Sequence, residues 1–158
     1  MKDPASALDR VDRRILALLQ SDGRMSNLAL AQAVHLSPTA VLERVRRLVR
    51  EKFILGYEAR LNPQKLDASL LVFIEVMLDR NTPDVFEQFK SSVRDRLEVM
   101  ECHMVAGEFD FLLKTRVADM DAYRSFLSDV LLTLPGVRET HTYAVIDEVK
   151  NSQALRVE

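Results

Sequence analysis

An α+β chain built from two unlike parts is predicted by three observations. Capped amphipathic helices fill the first 61 residues, strand and helix patterns alternate after them, and the charge balance changes sign between the two. Residues 1–61 hold 11 Lys and Arg against 7 Asp and Glu, net +4, and residues 62–158 hold 11 against 17, net −6. The overall charge of −2 conceals that split. At 158 residues, 47% hydrophobic and 29% charged, the chain has the composition of a folded protein and room for one ordinary domain or two small ones.

The first helix is read from LDRVDRRILALLQSDGR. Asp9 is its expected N-cap, Val11, Ile15, Leu18 and Leu19 mark its apolar stripe, and Asp22-Gly23 is an expected left-handed stop. Ser26 caps a shorter helix, NLALAQAV. A tight turn, His35-Leu36-Ser37, then leads to a third helix with Ser37 as N-cap and Pro38 at its first position, where a missing N–H costs nothing. FILGYEARLNPQKLD follows, with β-branched and aromatic residues around Gly56 suggesting a short strand or wing before Asn62-Pro63. This places a winged helix-turn-helix in 1–61, its wing and linker at about 53–66, and a second domain in 67–158.

In the second domain, strands are expected over Leu70–Leu78, Val99–Ala106, Asp110–Val117 and Val137–Val149. Helices are expected from Pro83 to about Leu97, with Val85, Phe86, Phe89 and Val93 inward, and from Asp119 to about Leu132, with Tyr123, Phe126, Leu127, Val130 and Leu131 inward. The order βαββαβ folds as a ferredoxin-like sandwich, an antiparallel sheet with both helices on one face. The first strand is apolar on both faces: Leu70, Val72, Ile74, Val76 and Leu78 on one, and Leu71, Phe73 and Met77, interrupted only by Glu75, on the other. Helices cover one side, so the other is expected to pack against a second copy; a single chain with a few exposed apolar residues is the alternative.

LSPTAVLERVRRLVREK carries five basic residues. At about 100° per residue, Val41, Leu42, Val45, Leu48 and Val49 share one side of the third helix, and Thr39, Ala40, Glu43, Arg44, Arg46, Arg47 and Arg50 share the other. A charged helix face is often merely solvated. Behind a helix, a short turn and an N-cap, however, this is the position of a recognition element for the major groove of double-stranded DNA. Arginine's fork grips phosphate or reads guanine, Thr39 and Ala40 near the helix N-terminus are small enough for close approach to bases or thymine methyls, and Ser37 and Pro38 beside them are further DNA-binding candidates. Glu43 either accepts from cytosine or orients Arg47 as an i,i+4 pair. Arg24 and Arg60 are further phosphate candidates.

LDxxDxxILxxLQxDGRxSNxxLAxxVxLSPT followed by LERVRRL, then DASLLVF, PDVFEQF, ECHMVAGEFDFLLKTRV, DMDAYRSFL, LPGVRETHTYAV and EVKNS, resembles the Lrp/AsnC family of feast/famine transcription regulators over nearly the whole chain. The resemblance implies a DNA-binding regulator with an amino-acid-sensing second domain. It also implies homodimers that assemble into octamers or larger rings, and an effector, leucine or a similar apolar amino acid, held between neighbouring sensing domains. The implied pocket contains Met104, Gly107, Glu108, Asp110, Met120, Tyr143, Ala144 and Val145. Asp110 is either the partner of the ligand's ammonium or the group that fixes the turn. Two positions depart from the family pattern. Lys52 stands where a glycine is usual, implying a left-handed residue with a Cβ at a cost of about 1 kcal/mol. Glu108 adds a methylene to the turn usually read Gly-Asp-Tyr/Phe-Asp.

Other classes find little support. Cys102 and His103 are consecutive in a strand and point to opposite faces, so they make no nucleophile–base pair. His35, His103 and His141 lack metal-ligand spacing, although a metal-responsive regulator using Cys102, His103 and His141 remains an alternative, as does a small dimeric enzyme with a helical appendage. No catalytic residue, metal or further cofactor is expected. MKDPASALDR lacks a secretory apolar run, a single cysteine allows no intrachain disulfide, and SLLVFIEVML is too short to span a membrane, so a cytoplasmic location is expected.

Overall fold

Asp9 closes the first helix as the sequence suggests. In the computed structural model, which describes residues 8–79 and 83–157, its carboxylate accepts from the Asp12 N–H at 2.7 Å while Asp12 accepts from the Asp9 N–H at 3.1 Å, a reciprocal capping box. The residues at the N-terminus from which a secretory signal is excluded lie mostly outside the described ones. The helices are α1 (Arg10–Ser21), α2 (Asn27–Val34) and α3 (Pro38–Arg50), with Ser26 and Ser37 accepting from the Ala29 and Ala40 N–H groups as N-caps. Ile15, Leu16, Leu30, Ala31, Val41 and Leu48 form their shared core. Each fully buried aliphatic side chain there contributes about 1.5–3 kcal/mol.

Several expectations need correction. Gly23 is not left-handed: α1 ends at an extended Asp22 whose carboxylate accepts from the Arg24 N–H, and a Cβ on Gly23 would lie 3.2 Å from the Tyr57 ring. The left-handed stop is instead His35 (φ 56), which closes α2. The wing forms no strand: residues 53–62 enter no ladder, and the Phe53 and Ile54 N–H groups donate to the Leu48 carbonyl at the end of α3; a single 3₁₀ turn, Pro63–Lys65, follows. Val49 is 44% exposed rather than inward, since it lies at the edge of the apolar arc.

Two compact units divide the chain, residues up to Arg60 with those from Lys150 onward, and Leu61–Val149. In the first, Gln20 exchanges two hydrogen bonds with the Leu155 backbone (2.9 and 2.6 Å), Arg60 donates to the Asn151 carbonyl, and Val157 packs against the helical core.

The second unit contains β1 (Leu70–Leu78), α4 (Val85–Arg94), β2 (Val99–Met104), β3 (Phe111–Val117), α5 (Met120–Ser125) and β4 (Val137–Ala144). Its antiparallel sheet has the order β2-β3-β1-β4, the ferredoxin-like arrangement. One face carries the core, with Val72, Ile74, Val76, Phe111 and Leu113 against Val85, Phe89, Val93, Tyr123, Phe126 and Leu131. The Phe89 and Phe111 rings pack tilted against each other, with centroids 4.7 Å apart. The second helix is shorter than expected: after Ser125 the backbone widens into a π turn (Phe126–Val130) and tightens into a 3₁₀ turn (Leu131–Thr133). β4 stops at Ala144 and not Val149, because β1 offers no ladder partner beyond Val145, whose N–H reaches the Leu71 carbonyl. Likewise β2 ends at Met104 and α4 at Arg94, and β3 begins at Phe111 rather than Asp110. Gly136 (φ 73) is required where β4 begins: a Cβ would meet Val85 Cγ2 at 2.0 Å.

On the other face of β1 lie Leu71, buried, and Phe73 and Met77, part-buried, with Glu75 between them. The β3 and β4 registers add Leu112, Lys114, His141 and Tyr143 to this face, which both helices leave uncovered.

Candidate nucleic-acid interface and effector site

The basic side of α3 divides into two. Arg46 and Arg50 are 64% and 71% exposed, whereas Arg44 and Arg47 are only 30% and 31% exposed. The difference comes from Asp12 on α1, whose side chain is fully buried and accepts from Arg44 Nη1 at 2.8 Å and from Arg47 Nη2. Asp9 accepts from Arg44 as well, at 2.6 Å. The Asp12 N–H first and Arg44 after it hold the Asp9 carboxyl below its ordinary range, and Asp9 followed by Asp12 raises the Arg44 guanidinium. These two arginines therefore tie α3 to α1.

Glu43 does not orient Arg47. It pairs with Arg46 at 2.9 Å as an i,i+3 neighbour, because Arg47 is turned inward to Asp12. Ser37, Pro38, Thr39, Glu43, Arg46 and Arg50 are left along the exposed flank of α3, with Ser37 spending its hydroxyl on the Ala40 N–H. Arg24, two residues before the N-cap of α2, is exposed, and Arg60 is committed to Asn151. Periodicity alone overlooks Asp12, which lies among the apolar positions of α1; the signal was the i,i+3 acidic pair Asp9-x-x-Asp12 at a helix start.

In the second unit, the expected effector residues fall into two groups. Met104, Gly107, Glu108 and Asp110 lie in or beside the β2–β3 connection, next to Val76 of β1. Tyr143, Ala144 and Val145 close β4 beside Val72, and Met120 starts α5 after β3 has run past Leu70. Val72 and Val76 are four residues apart, about 13 Å along a strand, so one chain does not bring the two groups together. Met104, Met120 and Tyr143 are half exposed or more, and Gly107 has open space where a Cβ would be.

Asp110 is buried, and its Oδ2 accepts from the Leu78 N–H at 2.8 Å while its backbone N–H donates to the Val76 carbonyl. Of its two roles, fixing the turn is the one visible in a single chain. Partial desolvation and the neighbouring Glu75 raise the Tyr143 phenol above its ordinary range. On the same open face Lys114, followed by His103, depresses the Glu101 carboxyl.

Cys102, His103 and His141 do not assemble: Cys102 shares a face with Leu113, while His103 and His141 stand on the other, separated by β3 and β1. No group of three metal-binding side chains occurs among the described residues, and no described helix is long and apolar enough to cross a membrane. The three residues named for a metal-responsive regulator are thus not brought together among the described residues of one chain.

The AsnC-type helix-turn-helix domain matches residues 8–49, and the Lrp/AsnC ligand binding domain matches residues 71–155. The chain is 60% identical to the leucine-responsive regulatory proteins of Klebsiella pneumoniae and Escherichia coli K12 over 154 residues, 98% of this chain and 94% of each relative. Among solved structures it is similar to a transcriptional regulator of Neisseria meningitidis in complex with L-methionine, with a TM-score of 0.91 and 36% identity over 95% of this chain and 97% of that one. A regulator of the AsnC family from Agrobacterium tumefaciens superposes with a TM-score of 0.89 at 27% identity, covering 94% and 97%.

Proposed function

The chain belongs to the Lrp/AsnC family of transcription regulators, and from that premise we propose how its own residues divide the work. It is a DNA-binding regulator responding to an amino acid, not an enzyme. α3 enters the major groove of double-stranded DNA with Ser37, Pro38 and Thr39 leading, and Arg46 and Arg50, with Glu43 beside Arg46, reach phosphates and base edges. Arg24 adds a phosphate contact from the start of α2. Arg44 and Arg47 act through Asp12 and Asp9 by fixing the angle of α3. The observation that carries this reading is the contrast in exposure between the two arginine pairs on one helix.

The effector is leucine or a similar apolar amino acid. The relatives' leucine response and the methionine bound by the Neisseria protein favour it, and Met104 and Met120 offer exposed, adaptable thioethers for an aliphatic side chain. Backbone donors around Gly107 and Glu108 suit the ligand carboxylate, and Asp110 fixes that turn. The separation of the two residue groups favours a pocket completed by a neighbouring copy, Met104, Gly107, Glu108 and Asp110 from one chain facing Met120, Tyr143, Ala144 and Val145 from another. Homodimers, built on the open sheet face, assemble into octamers or larger rings in the cytoplasm. An effector bound between copies shifts the population of assemblies by its differential affinity for them.

Sedimentation velocity with and without each amino acid tests the sensor. Leucine or methionine is expected to change the assembly size, and an unchanged distribution with all of them would remove the sensor while leaving DNA binding intact.

A further inference from the structure

Three arginines of α1 take no part in the network around Asp12. Arg10, Arg13 and Arg14, with His35, rim a cleft of about 600 Å³ between α1 and the end of α2, over an apolar floor that includes Val11, Val34 and Val157. Their side chains make no ion pair or hydrogen bond to another described residue, whereas Arg44, Arg46, Arg47, Arg116 and Arg124 are each paired with a carboxylate.

The arrangement opposes the helix that carries it. Arg10 begins α1, where the positive end of the helix dipole disfavours a cation, and Arg13 and Arg14 lie three and four residues on, the spacings at which like charges repel. His35 holds a left-handed conformation with a Cβ, which glycine would adopt at no steric cost. An anion in the cleft offsets the repulsion and uses the imidazole that the turn presents.

We propose that this cleft is a second phosphate-binding site, taking the sugar-phosphate backbone of the duplex whose major groove receives α3. The inference rests on the groove reading above. His35 lies two residues before Ser37, the N-cap of α3, a reach of about 7 Å. The major groove is only about 12 Å wide, so its phosphate wall comes within that reach of the helix end seated in it. The apolar floor meets sugar carbons, and the arginine rim meets phosphate oxygens.

The test is duplex affinity as a function of salt, using the intact protein and a mixed-sequence duplex, for the wild type, Arg10→Gln/Arg13→Gln/Arg14→Gln and Arg46→Ala/Arg50→Ala. The triple variant keeps helix-forming residues and sheds like charges, so its melting temperature is expected to equal or exceed the wild type's. Its log–log salt slope is expected to be shallower by about 3 for each helix-turn-helix engaged. An unchanged slope in the triple variant, with binding weakened in the α3 variant, would overturn the cleft proposal and leave the groove reading standing. If neither variant changed binding, both would fall. Thermal protection of the wild type by inorganic pyrophosphate that the triple variant loses, without any change in duplex binding, would make the cleft a site for free anions and overturn its assignment to the duplex.

Discussion

Replacing Asp12 with asparagine removes the acceptor on which α1 and α3 converge. The buried carboxylate takes three donors, the Asp9 N–H, Arg44 Nη1 and Arg47 Nη2. Asparagine keeps the shape but offers one acceptor oxygen and turns an N–H₂ toward a guanidinium. A hydrogen bond to a charged group is worth about 1.5–3 kcal/mol, and breaking a buried ion pair from one side costs about 3–5 kcal/mol. Both arginines are about one-third exposed and recover hydration, so the expected loss is about 2–3 kcal/mol. Urea melts followed by circular dichroism read it directly, and thermal melts should show a melting temperature lower by roughly 4–12 °C. A double-mutant cycle of Asp12→Asn with Arg47→Gln should show a coupling of about 1–2 kcal/mol. Stability within about 0.5 kcal/mol of the wild type would refute the assignment of Arg44 and Arg47 to holding α3, and would return them to the set available to DNA.

Further outcomes follow from the same geometry. Lys52 holds φ 63, so Lys52→Gly is expected to stabilise the first unit by about 0.5–1 kcal/mol in urea melts; a loss would show that the lysine side chain makes up for its strained backbone. Gly136→Ala combines φ 73 with a 2.0 Å approach to Val85 Cγ2 and should cost about 2 kcal/mol or more, and a variant as stable as the wild type would contradict that contact. Asp9 has a depressed carboxyl, so its contribution is complete above its ordinary value of 3.8 and is lost as pH falls below it. Urea midpoints measured from pH 6 to pH 3 should therefore decline less steeply for Asp9→Asn than for the wild type.

Local chemistry made much of the fold legible. Asp9, Ser26 and Ser37 cap their helices because each places a carboxylate or hydroxyl before an apolar stripe, and β1 to β4 pair in the ferredoxin-like order that the βαββαβ succession implies. Lys52 takes the left-handed backbone implied by the glycine usual there. The errors arose where a partner outside the local pattern decided. Asp12 draws Arg47 inward, away from Glu43, which no count of helical spacing reveals. Residues 53–62 have strand-forming composition but enter no ladder, and Phe53 and Ile54 turn back to the Leu48 carbonyl. β4 stops where β1 ceases to provide a ladder. The two groups of expected effector residues lie about 13 Å apart along the sheet, a separation set by strand pairing that the sequence motifs do not carry.

The affinity of the intact protein for duplex DNA across a salt titration, comparing wild type with Arg46→Ala/Arg50→Ala, tests the central claim most directly. Neutralised phosphates release counterions, so affinity should fall linearly with salt on a log–log scale, and the variant's slope should be shallower by about 2 for each α3 engaged. Binding insensitive to salt, or a variant with the wild-type slope and affinity, would contradict the placement of α3 in the groove.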